Sequence, residues 1–111
     1  MHANNLVVLR GRLSSEPKVR ALPSGVTLVN LEVTTDVDGV NVSVPVVLEA
    51  SDSNLASGDT VVVAGQVRRR YFRAGGITQS RTEVVASSVV KAGSKRTIAR
   101  SLEKAAALLL E

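Results

Sequence analysis

An all-β chain that closes into a small barrel, followed by one C-terminal helix, is the fold class this sequence predicts. Three observations predict it. Hydrophobic residues make up 44% of the chain but aromatics only 2%, so the core must be built of Val, Leu and Ala, a β-branched bias that favours strands. Apolar and polar residues alternate in short runs separated by Pro, Gly and Asp-Gly turns, the pattern of half-buried strands. After Gly93-Ser94 the alternation stops and good helix formers take over. The 111 residues fit one domain with a real core. The expected division is a barrel over residues 1–92 and a helical extension over 93–111.

Leu6 to Leu13 reads as the first strand, interrupted by Gly11, a residue that marks a bulge or a bend at a barrel corner. Ser14-Ser15-Glu16-Pro17 turns, Lys18 to Leu22 is a short extended piece, and Pro23-Ser24-Gly25 turns again. The second strand runs from Val26 to Thr35, with Val29, Leu31 and Val33 on one face. Asp36-Val37-Asp38-Gly39 carries an Asp-Gly hairpin signal. In the third strand, Val40 to Glu49, the residues Val40, Val42, Val44, Val46 and Leu48 share a face, and Pro45 argues for an edge or bulge. Ala50 to Asp59 is polar, with room for one helical turn around Asn54-Leu55-Ala56 ended by Gly58.

The fourth strand, Val61 to Arg73, begins as a buried strand and ends as a basic, aromatic arm. Extended, it sets Arg68, Arg70 and Phe72 opposite Arg69 and Tyr71. Ala74-Gly75-Gly76 is a hairpin tip, and a fifth strand runs from about Thr78 to Val90. In the tail, Thr97 is a fair N-cap for a helix over Ile98 to Leu110, with Ile98, Leu102, Ala105 and Leu109 on one stripe. A lone helix of this length is marginal, so it is expected to pack on the barrel or on a partner helix.

Net charge is +4 and the pI about 10.1, which favours a polyanionic partner. The charges are segregated. Arg10, Arg12, Lys18 and Arg20 come early; Ala21 to Val67 holds no Lys or Arg but six acids; Arg68, Arg69, Arg70, Arg73 and Arg81 then follow with no acid among them. Five strands with glycine-bent corners and a short helix between the third and fourth point to a five-stranded Greek-key OB-fold barrel. In that fold the first strand lies beside the fourth, which would set Arg10 and Arg12 next to Arg68, Arg69 and Arg70 in one basic stripe.

The order of local motifs is also specific. Asn5-Leu6-Val7-Val8-Leu9-Arg10-Gly11-Arg12-Leu13, Glu16-Pro17-Lys18-Val19-Arg20, Pro23-Ser24-Gly25, Val29-Asn30-Leu31 and Gly58-Asp59 through Val61, Val63 and Gly65-Gln66-Val67-Arg68 together resemble the bacterial single-stranded DNA-binding proteins over about residues 4–92. Thr82-Glu83-Val84-Val85-Ala86 resembles that family's closing strand. The resemblance implies sequence-tolerant binding of single-stranded DNA in replication, recombination or repair. It also implies a homotetramer, or dimers paired through the first strands. The chain departs from the family where bases usually stack: Asp36 to Val40, Ser43 and Glu49 hold no aromatic, and only Phe72, with Tyr71 beside it, stands where a stacking ring is expected. In place of the family's acidic tail this sequence has a basic, Ala/Leu-rich helix, read either as a removed tail or as a divergent relative without that recruitment role.

The expected nucleic-acid-binding residues are therefore Arg10, Arg12, Arg68, Arg69, Arg70, Tyr71, Phe72, Arg73 and Arg81. Cations neutralise phosphates and rings stack on bases. The competing reading is an oligomerising interaction module of the same fold that has lost most DNA binding; RNA is a third possibility. Catalysis is not expected: the only histidine, His2, sits near the terminus, and Asp36 and Asp38 flank a turn without the rest of a calcium loop. No cofactor, no small-molecule substrate and no metal are implied; the lack of cysteine excludes a disulfide framework and a thiolate metal site. With no secretory signal and no apolar run of membrane-spanning length, a cytoplasmic, nucleoid-associated protein is expected.

Overall fold

The computed structural model describes residues 5–50, 54–93 and 95–110; His2 lies outside them. Six strands and a helix follow in order: β1 Val7–Leu13, β2 Lys18–Ala21, β3 Thr27–Val37, β4 Val40–Glu49, β5 Thr60–Ala74, β6 Ile77–Lys91 and α1 Lys95–Leu109. The five expected strands are β1, β3, β4, β5 and β6. The short extended piece is a sixth, β2, paired with β3 from Lys18↔Asn30 to Ala21↔Thr27.

The sheet curls into a ring in the order β1-β5-β6-β4-β3, and β3 returns to β1 through Arg12↔Thr34 and Leu13↔Val33. The first and fourth expected strands do lie side by side, from Val7↔Gly65 to Arg12↔Thr60. β4 and β6 are the parallel pair, over Val46↔Val84 to Leu48↔Ala86. Pro45 stands just before that ladder begins, where its missing N–H costs no bond to β6.

Alternation builds the core. Val29, Leu31 and Val33 of β3, Val46 of β4, Val61 and Val63 of β5, Val84 of β6 and Leu13 form one buried cluster. Two glycines permit the closure. A Cβ at Gly11 would collide with the Thr34 carbonyl oxygen, and one at Gly65 with that of Val85. The register also shifts by a bulge between Ala64 and Gly65. Both long hairpins turn in two residues: Asp38-Gly39 (φ 52° and 80°) joins β3 to β4, and Gly75-Gly76 (φ 62° and 79°) joins β5 to β6. Positive φ at both positions is the type I′ geometry that suits strand twist. Asp36 Oδ1 also accepts the Gly39 N–H at 2.7 Å.

Two local expectations are corrected. Residues 54–56 are not helical: Asp59 Oδ2 accepts the Ala56 N–H while the Asp59 N–H bonds back to the Ala56 carbonyl, which closes a turn in place of a helix. Thr97 lies inside α1, which already begins at Lys95, so it is not the N-cap. The helix docks on its own barrel. Val62 and Ala64 alternate with the core residues Val61 and Val63 and so point away from the core, yet both are buried. α1 packs against this outer side of β5 and β6, burying Ala105 and bonding Ser101 Oγ to Ser88 Oγ.

Candidate nucleic-acid interface

The β5–β6 hairpin runs out past the barrel. Val67 has the phase of the core residues but is 45% exposed, although the Asn5 side chain bonds both its N–H and its carbonyl. Beyond it the two faces separate by cross-strand pairing. Arg69, Tyr71 and Arg73 oppose Thr82, Ser80 and Thr78, while Arg68, Arg70 and Phe72 oppose Glu83, Arg81 and Gln79. The first set forms a polar ladder: Arg69 donates to Ser80 Oγ at 3.2 Å, and Arg73 donates to Thr78 Oγ1 and to the Gly76 carbonyl.

The second set gathers around one buried carboxylate. The Glu83 side chain is 1% exposed. Arg68 Nη2 donates to Glu83 Oε2 at 2.5 Å and Arg70 Nε to the same oxygen at 3.3 Å, while Arg81 Nε stands 3.5 Å from Oε1. A lone buried carboxylate is costly, and three guanidiniums offset that cost. All three arginines keep their outer sides in water, at 43–49% side-chain exposure. Each therefore has donors left for a second anion.

That face continues into an open groove of ≈ 500 Å³. Arg70 and Arg81 form one wall, Lys18 and Arg20 of β2 the other, and Asn30 and Glu32 of β3 line it between them. Glu32 is tied down: Ser43 Oγ donates to its Oε2 at 3.0 Å, and Arg81 Nη2 lies 3.6 Å from Oε1. The turn before β2 is held by Glu16, whose Oε1 accepts the Ser57 N–H at 3.0 Å. Lys18 and Arg20 were visible as early cations but stand outside the expected site. The signal that finds them is pairing, since only as a strand beside β3 do they reach the groove.

The register separates what the sequence reading put together. Arg10 faces Val62 and Arg12 faces Thr60. Arg68 lies six residues further along β5, about 20 Å at strand rise. The expected single stripe of Arg10, Arg12, Arg68, Arg69 and Arg70 is therefore not formed: strand neighbours need not be side-chain neighbours, and antiparallel direction sends these two clusters to opposite ends.

Ring placement is sparse. Phe72 is half-buried under the Arg70 guanidinium, 5.3 Å from its centroid, and Tyr71 is 66% exposed with Arg69 at 5.3 Å. Cation–π contact of this kind holds a ring upright at modest energy. Ser43 and Glu49 share the outward phase of β4. Among the described residues no group of three His, Asp or Glu is placed to hold a metal, and no helix is long and apolar enough to cross a membrane.

At the level of sequence, no protein-family model and no curated protein matches the chain. Structure does find a counterpart. The chain is similar to a Plasmodium falciparum SSB solved in complex with ssDNA, with a TM-score of 0.72 at 19% identity, over 82% of this chain and 96% of that one. The barrel is an OB-fold. OB-folds carry their ligands on the face of the second and third barrel strands and on the two flanking loops. Here those strands are β3 and β4, one loop carries β2, and the other is the β5–β6 hairpin. The basic groove occupies that place in this OB-fold.

Proposed function

We propose that the protein binds single-stranded DNA with little sequence preference, in replication, recombination or repair. The observation that carries this reading is the groove walled by Lys18 and Arg20 on one side and Arg70 and Arg81 on the other, on the ligand face of an OB-fold. Phosphates run between the two basic walls, and Phe72 and Tyr71 stack bases at the hairpin. Arg68 extends the phosphate track on that face of the hairpin, and Arg69 and Arg73 present cations on its opposite face. The SSB likeness supports the same partner. The protein acts as a binding module without catalysis, as a homodimer or homotetramer, in the cytoplasm.

Fluorescence anisotropy of labelled oligo-dT, titrated at several salt concentrations with duplex competitor, tests the reading. With about five phosphates neutralised, log affinity falls with log salt at a slope of roughly −3 to −4. Duplex competes poorly. Absence of binding at low salt sinks the reading and leaves the interaction module. One observation favours that module: three carboxylates, Glu16, Glu32 and Glu83, lie within the ligand face. Oligo-U in parallel decides between DNA and RNA.

A further inference from the structure

The cations of α1 take no part in the groove. Arg96, Arg100 and Lys104 follow one another at four-residue spacing, all exposed. No ion pair engages them among the described residues, in contrast to Arg68, Arg70 and Arg81. At four residues per step they form a stripe about 12 Å long. The helix is not a loose tail. Ala105 is buried and Ser101 is bonded to Ser88, so the stripe is carried on a fixed platform.

The direction of the helix matters. Its C-terminal end, at Leu108 and Leu109, lines one cavity together with Gln66 and Val85. Gln66 is two residues from Arg68, and Val85 two from Glu83, on the same outer face of the hairpin. Lys104 lies beside Ser87 and Ser88, one step further from the groove. Arg100 and Arg96 lead on in the same direction along the helix. A path that leaves the groove past Arg68 crosses the exposed leucines at the end of α1 and then reaches Lys104, Arg100 and Arg96 in turn. Arg10 also lies on the side of the sheet that the helix covers, opposite outward-facing Val62.

We infer that the exposed face of α1 is a second phosphate-binding surface, engaged by a nucleic-acid strand that continues beyond the groove. The inference rests on the proposed groove function and extends the bound length. Continuity with the groove selects a nucleic acid over other polyanions. Point charges on a helix read backbone and not base, so this surface adds affinity and site size without sequence preference.

The test compares a strand of about 6 nucleotides with one of about 20, within and beyond the span of one OB-fold. The variant is Arg96→Ala/Arg100→Ala/Lys104→Ala in the full chain, since alanine keeps helix propensity. The expected result is unchanged binding of the short strand. The long strand binds at least tenfold more weakly, with a salt slope shallower by about 2 for three lost phosphates. The charge-keeping variant Arg96→Lys/Arg100→Lys retains long-strand affinity, which separates lost charge from a disturbed helix. Equal long-strand binding by wild type and triple alanine variant overturns the inference while leaving the groove intact. Failure of the wild type to bind either strand overturns the groove function itself.

Discussion

Glu83 decides how the arginines around it behave. It is the one buried charged side chain among the described residues, and it sits on the ligand face. Three guanidiniums on one carboxylate leave a net charge near +2, held in place. Glu83→Gln keeps the shape and removes the anion. Because the arginines are half in water, the expected loss of stability is only about 1–2 kcal/mol. The salt dependence of oligo-dT binding should steepen by about 0.7, one more phosphate's worth. Thermal melts and a salt series check both; an unchanged slope shows that Glu83 does not restrain the cations. Phe72 carries the other residue-scale prediction. Phe72→Ala should weaken oligo-dT binding by about 1–3 kcal/mol, the value of one stacked base. Anisotropy reads this, and identical affinities rule out stacking there.

At the scale of elements, closure of the barrel depends on two strand crossings where backbones nearly touch. A Cβ on Gly65 meets the Val85 carbonyl and the Ala86 Cα, neither of which can swing aside. Gly65→Ala should cost about 1–3 kcal/mol or more, read as a lower urea midpoint. Gly25 has open space around it, so its alanine variant should lose only the smaller backbone cost of its positive φ, about 1 kcal/mol. Equal losses at the two sites would discard the closure argument. The hairpins themselves were legible: Asp38-Gly39 and Gly75-Gly76 announce two-residue turns because few residues tolerate positive φ. The helical turn expected around Leu55 was not, because Asp59 captures the Ala56 amide by a side-chain bond that propensity does not register.

At the scale of the whole molecule, the barrel sorts its cations into places that linear order mixes. Lys18 and Arg20 line the groove; Arg10 and Arg12 do not. The double variant Lys18→Ala/Arg20→Ala should therefore weaken binding of a strand of about 6 nucleotides severalfold. Its salt slope should fall by about 1.4. Arg10→Ala/Arg12→Ala should leave that short strand's affinity and slope almost unchanged. The reverse ranking would show that the bound strand follows β1 and not β2.

The sequence by itself determined the strands, the hairpin turns and the valine core. These follow from side-chain alternation and from glycine's access to positive φ, both properties of adjacent residues. It also marked Arg68 to Arg73 and Arg81 as one basic hairpin, because two strands joined by a two-residue turn must face each other. Only the tertiary structure decided which cations share a surface. Register and strand direction, set by packing the core, moved Arg10 and Arg12 away and brought Lys18 and Arg20 in. It also buried Glu83 beneath three arginines and laid α1 along the outer face of β5 and β6. Those outcomes depend on contacts between residues far apart in the chain, and no local pattern encodes them.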